Sequence, residues 1–66
     1  MKKRFNRLLY IYTLFNETGG VNMDEVLFRT NISKRTYYRD IETIKEICVN
    51  MKIESLGNGD FRLAIY

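Results

Sequence analysis

The sequence predicts a mainly α-helical domain with a small β-hairpin, and three observations lead to that fold class. Apolar residues recur at helical spacing in two stretches, residues 5–15 and 37–48. A short segment with a helix-capping residue lies between them. The last fifteen residues alternate apolar with polar side chains around a glycine-rich turn. With 66 residues, the chain is long enough for one domain, residues 1–66, with a modest core.

The first helix is predicted over residues 3–17. Gly19 and Gly20 end it, because glycine readily takes the left-handed conformation of a helix C-cap. Its apolar face is broad, and we expect later elements of the chain to cover it, with a partner subunit as the alternative. The face consists of a primary stripe and two residues that widen it: Phe5, Leu8, Leu9, Tyr12 and Phe15, with Ile11 and Leu14.

A second helix is predicted to begin after Asn22, which can cap it, with Glu25 three positions on as in a capping box. Val21, just before it, is expected to form a short edge strand. Only residues 30–32 separate this helix from Ser33, and so tight a connection between two helices makes a helix-turn-helix. In the connection Asn31 tolerates left-handed backbone angles and Ile32 can fill the corner; the packing face is Met23, Val26 and Leu27.

The third helix is predicted from Lys34 to about Val49, with Ser33 as its N-cap. One side carries an apolar stripe at spacings of four, three and four, namely Tyr37, Ile41, Ile44 and Cys48. The opposite side carries cationic and hydroxyl side chains, namely Arg35, Thr36, Arg39 and Thr43. This pattern is typical of a helix that packs against the core with one side and presents the other side to an anion.

A hairpin is predicted from residues 52–56 and 61–65, joined by Gly57-Asn58-Gly59-Asp60. The Asn58-Gly59 pair favours a type I′ turn, since both residues accept positive φ. Arg62 would face outward, whereas Ile53, Phe61, Leu63 and Ile65 would face the helices. The order helix, short strand, helix, helix, hairpin is that of a winged helix-turn-helix: three helices plus a wing sheet of two or three strands.

The net charge is only +3, but its distribution is uneven. One basic cluster is Lys2, Lys3, Arg4 and Arg7, and a second is Arg29, Lys34, Arg35 and Arg39. Two such clusters on a small domain suit a phosphate backbone, although either one alone is as consistent with a solvated surface. We expect Asp40 to pair with an arginine such as Arg4, Arg7 or Arg39.

Several classes of protein are excluded by composition. Histidine is absent and Cys48 is the single cysteine, so a Cys/His zinc site and an internal disulfide are excluded. We expect Cys48 to pack in the core, and we expect no enzyme, catalytic residue, metal or cofactor. The basic N-terminus and the apolar run after it superficially resemble a signal peptide, but Asn6 and Arg7 interrupt the pattern and the run is too short to span a bilayer. We therefore expect a cytoplasmic protein with no membrane association.

The segment Ser33-Lys34-Arg35-Thr36-Tyr37-Tyr38-Arg39-Asp40-Ile41 resembles the S-x-R-T-x-x-R-D-I signature of bacterial DeoR-type winged helix-turn-helix domains. It looks most like the N-terminal DNA-binding domain of WYL-domain regulators. Weaker similarities at Arg7-Leu8-Leu9, Val21 and Phe61-Arg62-Leu63 extend the resemblance over roughly residues 3–65. The resemblance implies transcriptional regulation by sequence-specific binding of double-stranded DNA, with the third helix in the major groove.

The resemblance, together with the charge and side-chain chemistry of the residues, indicates which residues contact DNA. Arg35 and Arg39 can pair with guanine or clamp phosphate, and Glu42 and Glu46 would repel phosphates and confine contact to the first turns. The contacts expected from the third helix and its cap are Ser33, Lys34, Arg35, Thr36, Tyr38, Arg39 and Thr43. Phosphate-backbone contacts are expected from Lys2, Lys3, Arg4 and Arg7, and wing contacts from Asn58, Gly59 and Arg62.

The resemblance also bears on further domains and on partners of the chain. Family members usually carry an effector-binding or oligomerising domain after the wing, so the chain can be one domain of a longer regulator or a complete small regulator such as that of a phage. The alternative function is a winged-helix module that binds another regulator or a polymerase, with little direct DNA binding. Since one small domain contacts one half-site, we expect a homodimer through the first helix or the C-terminal strand, with Tyr10, Tyr12, Leu14 and Tyr66 as candidate contacts.

Overall fold

Three helices and a small three-stranded antiparallel sheet make up the fold, which is winged-helix-like as the sequence predicts. The computed structural model describes the backbone of residues 2–64 and the side chains of residues 3–64. Ile65 and Tyr66, for which a strand position and a dimer contact are predicted, lie outside the described residues. The elements are α1 (Lys2–Thr18), β1 (Gly20–Val21), α2 (Met23–Thr30), α3 (Lys34–Ile47), β2 (Ile53–Ser55) and β3 (Phe61–Leu63).

The predicted helix ends are confirmed where a local capping residue defines them. Gly19 adopts a φ of 81°, and its N–H donates to the carbonyl of Phe15 at 3.0 Å, which closes α1. The side chain of Asn22 accepts the N–H of Glu25 at 2.9 Å at the start of α2. Asn31 takes left-handed angles (φ 55°, ψ 48°) between α2 and α3. These short-range contacts therefore shape the helix-turn-helix corner.

α3 ends at Ile47, two residues before the predicted Val49. The N–H of Cys48 still donates to the carbonyl of Ile44 at 2.8 Å, after which the N–H of Met51 donates to the carbonyl of Cys48 at 2.9 Å. The chain turns at this point and enters β2, which pairs antiparallel with β3.

β3 is the central strand of the sheet, with β1 and β2 antiparallel on its two sides. Phe61 lies opposite both Val21 and Ser55, so the predicted edge strand at Val21 is confirmed. The predicted type I′ turn at Asn58-Gly59 is wrong. Gly57 and Gly59 have the positive φ angles (92° and 98°) and Asn58 does not, and the N–H of Leu56 donates to the carbonyl of Asp60 at 2.9 Å across a wider loop. Contacts of Gly59 with the helices, described below, override the local turn preference.

The core lies where α1, α2, α3 and the inner face of the sheet meet. Tyr37, Ile41 and Ile44 are buried as predicted, and Cys48, which is half-buried, packs against them. The other buried apolar side chains are Ile11, Phe15, Val21, Met23, Val26 and Phe61.

The predicted orientation of α1 needs correction. Ile11 and Phe15 are its buried centre, whereas Phe5, Leu9 and Tyr12 of the predicted primary stripe are exposed. Arg7 lies four residues before Ile11 and binds the buried Asp40 of α3. This ion pair, together with the burial of Ile11 and Phe15, determines which side of α1 faces the core. The opposite side stays exposed, so the expectation that later elements would cover the whole apolar face is wrong.

Candidate nucleic-acid interface

The N-terminal end of α3 is built by its cap. The N–H of Thr36 donates to the hydroxyl oxygen of Ser33 at 3.2 Å, and that hydroxyl also lies 3.2 Å from the hydroxyl of Thr36. The predicted N-cap is therefore confirmed. Ser33 and Lys34 are exposed and Thr36 is half-exposed, so the start of the helix is accessible from solvent.

One side of α3 is presented to solvent along three turns. The side chains that line this surface are Arg35, Tyr38, Arg39, Glu42, Thr43 and Glu46. The predicted contact residues Arg35, Tyr38, Arg39 and Thr43 thus share one continuous surface, which is called the outer side of α3 below. Its first two turns carry the cations and its third carries the acids.

The cations on this outer side differ from most other arginines in the domain. Arg29 pairs with Glu25 at 3.8 Å, and Arg62 pairs with Glu54 at 2.8 Å. Among the side chains of residues 3–64, by contrast, no carboxylate lies within ion-pairing distance of Lys34, Arg35 or Arg39. Unpaired guanidinium groups on a rigid helix are well suited to charge-assisted hydrogen bonds with an anion.

The acids at the far end of this surface do not neutralise the cations. Glu42 pairs with Lys45 at 3.4 Å, one turn further along, and Glu46 is exposed. The negative charge is therefore confined to the C-terminal half of α3, as the sequence predicts.

The N-terminal turns of α1 run beside the outer side of α3. The guanidinium of Arg4 donates to the hydroxyl of Thr43 at 3.3 Å, and that hydroxyl donates to the carbonyl of Arg39 at 2.9 Å. The hydroxyl of Thr43 is thus used within the fold. Lys3 and Arg4 are exposed and extend the positive surface beyond α3; the side chain of Lys2, a predicted phosphate contact, lies outside the described side chains.

Arg7 does not fit the phosphate contact predicted for it. Its Nε and Nη2 donate to the two carboxylate oxygens of Asp40, the second at 3.2 Å, and the side chains are only 16% and 2% exposed. The hydrogen bond to Asp40 and the attraction of its charge raise the pKa of Arg7, against the opposing effect of burial. Arg7 is therefore a structural residue. From sequence the partner of Asp40 could have been Arg4, Arg7 or Arg39, and the structure identifies it as Arg7.

The wing contacts need a similar correction. Gly59 is buried, and its carbonyl accepts a 2.6 Å hydrogen bond from the hydroxyl of Tyr37, so Gly59 is not available to DNA. Gly59 has a φ of 98°, which favours glycine, and a Cβ there would also lie 2.7 Å from the thioether of Met23. Asn58 and Arg62 are exposed, but the charge of Arg62 is offset by Glu54.

The sequence predicted a dimer contact on the first helix, but it missed most of the apolar residues that are exposed there. Phe5 and Leu9, predicted to be inside, and Ile47, which had no predicted role, form an exposed apolar area beside Tyr12. The signal was present in the width of the apolar pattern on α1, because a helix that is apolar on most sides cannot be covered by so small a domain.

The chain matches no protein-family model, no curated protein and no solved structure. None of the helices within residues 2–64 has the length and apolar content that a membrane crossing requires. The described side chains include no group of three or more histidine, cysteine, aspartate or glutamate residues that could hold a metal ion.

Proposed function

We propose that this domain binds double-stranded DNA as a small transcriptional regulator in the cytoplasm, with α3 in the major groove. The observation that carries the proposal is that Arg35 and Arg39 have no carboxylate partner among the described residues and lie on one exposed surface. A forked guanidinium can pair with guanine O6 and N7 in the major groove, or with a phosphate.

The position of the cap supports the same proposal. Ser33 and the first amides of α3 lie at a helix N-terminus, where backbone N–H groups and the helix dipole favour a phosphate oxygen. Lys3 and Arg4 on the neighbouring α1 would add contacts to the backbone of the duplex, which position the protein without reading sequence.

The resemblance of residues 33–41 to the DeoR-type signature points to the same function. In that arrangement the first turns of α3 read base edges, and the acids of its third turn lie beyond the phosphates. Since one domain of this size covers one half-site, two copies would be needed to specify an operator.

The test begins with selection of bound duplexes from a random library, followed by affinity measurements on the selected site over a series of salt concentrations. We expect log affinity to fall linearly with log salt, because each neutralised phosphate releases counterions. Arg35→Ala and Arg39→Ala should each weaken binding by about 1–3 kcal/mol if the arginine reads a base.

Lys52→Ala serves as the control for net charge. Lys52 is exposed, and its carbonyl accepts the N–H of Ala64 at the end of the sheet opposite the Gly59 loop. This variant should keep wild-type affinity. Salt-insensitive binding, or wild-type affinity of both arginine variants, would overturn the proposal.

A second candidate function is favoured by one observation, the exposed apolar side chains of Phe5, Leu9 and Ile47. In that case the domain would be a winged-helix module that binds another regulator or a polymerase. A defined protein partner whose binding survives Arg35→Ala and Arg39→Ala, together with salt-insensitive DNA binding, would favour this candidate.

A further inference from the structure

An uncovered apolar groove runs between α1 and the C-terminal end of α3. It is called the α1–α3 groove here, and the residues that line it are Phe5, Leu8, Leu9, Tyr12, Ile44, Ile47 and Cys48. Phe5 is 65% exposed, Leu9 49% and Ile47 70%. Among the side chains of residues 3–64, no charged one lines the groove. Single exposed apolar residues are ordinary, but a contiguous patch marks an interaction surface.

We propose that the α1–α3 groove binds a second copy of this chain, with α1 packed antiparallel against the partner's α1 around a two-fold axis at Leu9. This inference rests on the proposed function, for which two copies are needed, and it names the surface that joins them. It differs from the expectation from sequence, since Phe5, Leu9 and Ile47 replace Tyr10 and Leu14, which pack against the core.

The spacing of the exposed side chains suits a two-fold contact. Phe5, Leu9 and Tyr12 are separated by four and three residues, so they form one straight stripe on α1. A two-fold contact uses the same patch on both copies. With the axis at Leu9, the two Leu9 side chains meet, and each Phe5 faces the Tyr12 of the other copy.

The charge distribution also suits a second copy. The stripe from Phe5 to Tyr12 contains no ionisable group that is charged at neutral pH, and Asn16, which continues it by one turn, is uncharged and exposed. Two copies can therefore meet along this line without burying an unpaired charge, which would be strongly unfavourable.

The available area predicts a weak, reversible dimer. Since a large aromatic side chain buries roughly 150–250 Å², the exposed parts of Phe5, Leu9, Tyr12 and Ile47 amount to about 400 Å² per copy. A standard interface uses about 800 Å² per partner. The patch is thus the centre of a small interface, which binding to two adjacent half-sites would strengthen.

Both surfaces can be occupied at once. The α1–α3 groove and the outer side of α3 have no lining residue in common. Ile44 and Ile47 line the groove together with residues of α1, whereas Arg35 and Arg39 belong to the outer side of α3. A copy bound in the groove would therefore leave the arginines free to contact DNA.

Sedimentation equilibrium of the full chain over a range of concentrations tests the dimer. We expect the wild-type mass to rise from that of a monomer, 7.9 kDa, toward twice that value. Leu9→Glu should raise the dimer dissociation constant by more than about tenfold, with an unchanged helical circular dichroism spectrum. Phe28→Glu is the matched control, because Phe28 is 85% exposed on α2 and outside the groove.

Disulfide cross-linking tests the antiparallel register in a Cys48→Ala background. Leu9→Cys should form a covalent dimer on mild oxidation, because residues that face each other across the axis come within the short range a disulfide allows. Phe5→Cys and Tyr12→Cys should each cross-link poorly alone and efficiently when mixed. Phe28→Cys should remain monomeric.

The outcomes separate this inference from the proposed function. The proposed dimer would be overturned if the wild type is a monomer at all concentrations and on DNA. It would also be overturned if Leu9→Glu leaves a dimer intact, or if the groove binds only an unrelated protein. A dimer that is lost in Leu9→Glu and cross-linked at Leu9 supports it. If that dimer binds no DNA, the proposed function fails while the α1–α3 contact stands.

Discussion

Both sides of α3 carry polar groups, but the fold uses them differently. On the inner side, the carboxylate of Asp40 binds Arg7 and the hydroxyl of Tyr37 donates to the carbonyl of Gly59. On the outer side, Arg35 and Arg39 have no carboxylate partner among the described residues. The inner side joins α3 to α1 and to the wing loop (residues 56–60), while the outer side leaves two guanidinium groups without a carboxylate partner among the described residues.

The number of charges in a cluster therefore does not measure how many of them a partner can bind. Arg7 belongs to the N-terminal basic cluster by sequence, yet its guanidinium is held by Asp40. Arg62 is exposed, yet Glu54 offsets its charge. If the two sides of α3 have the separate roles described, substitutions on the inner side will change stability, and those on the outer side will change DNA affinity alone.

The largest effect is expected from Arg7→Ala. It leaves the carboxylate of Asp40 buried without its cation, and breaking a buried pair in this way lowers the free energy of unfolding by about 3–5 kcal/mol. Urea denaturation followed by circular dichroism measures the change. For a small domain this is a large share of the total of about 5–15 kcal/mol.

The matched control for this prediction removes both charges. Arg7→Leu combined with Asp40→Leu should recover most of the lost stability, because two apolar side chains of similar size can pack at the site. A loss of under about 1 kcal/mol in Arg7→Ala would show that the pair does not anchor α1 to α3.

The next effect in size is expected from Gly59→Ala. Gly59 and Gly57 both have positive φ, so alanine at either position is strained by about 1–2 kcal/mol. At Gly59 the added Cβ also meets the thioether of Met23, whereas at Gly57 nothing lies within 4 Å. Because methionine is flexible, we expect Gly59→Ala to be less stable than Gly57→Ala by about 1 kcal/mol. Equal thermal stabilities of the two variants would contradict the buried position of the loop.

Tyr37→Phe should lower stability by about 1–2 kcal/mol at neutral pH, because the carbonyl of Gly59 loses its donor. Burial, helped by the charge of Asp60 and by Tyr38, raises the pKa of Tyr37 above its ordinary value of 10.0. The folded state therefore favours the neutral phenol. Its contribution to stability is complete below about pH 10 and falls as the pH rises above that value, since only the unfolded chain then releases the proton readily.

Denaturation at several alkaline pH values checks whether the stability contributed by Tyr37 falls as the pH rises. Tyr37→Phe should remove much of the decline above about pH 10, while Tyr12→Phe, which leaves the buried hydroxyl in place, should retain it. An identical decline in the wild type and in Tyr37→Phe would argue against a neutral phenol that is held by the wing loop.

The smallest effect on stability is expected on the outer side of α3. Arg35→Ala and Arg39→Ala remove exposed side chains without an ion-pair partner among the described residues, so the free energy of unfolding should stay within about 0.5 kcal/mol of the wild type. Thermal denaturation of the same preparations used for DNA binding measures it. A clear destabilisation would mean that these arginines serve the fold, and the contrast between the two sides would be lost.

Local signals were sufficient where a feature depends on neighbouring residues. Ser33, Asn22 and Gly19 were predicted as caps because each acts on a backbone group within four positions of itself. The buried stripe of α3 was also predictable, since helical spacing determines which residues share a side. The outward exposure of Arg35 and Arg39 followed from that stripe.

The remaining features depend on partners far along the chain. The partner of Asp40 could have been any of three arginines, because it lies 33 residues away and depends on how α1 approaches α3. The type I′ turn expected at Asn58 failed for a similar reason. A hydrogen bond from Tyr37, 22 residues earlier, draws Gly59 inward and gives the loop a different shape.

The order of the elements, the capped helix-turn-helix corner and the outer side of α3 can be read from the sequence, because caps and helical periodicity act over a few residues. Which cations lack an ion-pair partner and which side of α1 is buried depend instead on tertiary contacts. Both follow from the pairing of Arg7 with Asp40 and the packing of Ile11 and Phe15. A helix that is apolar on most sides can pack against the core in several orientations about its own axis, and long-range contacts select one of them.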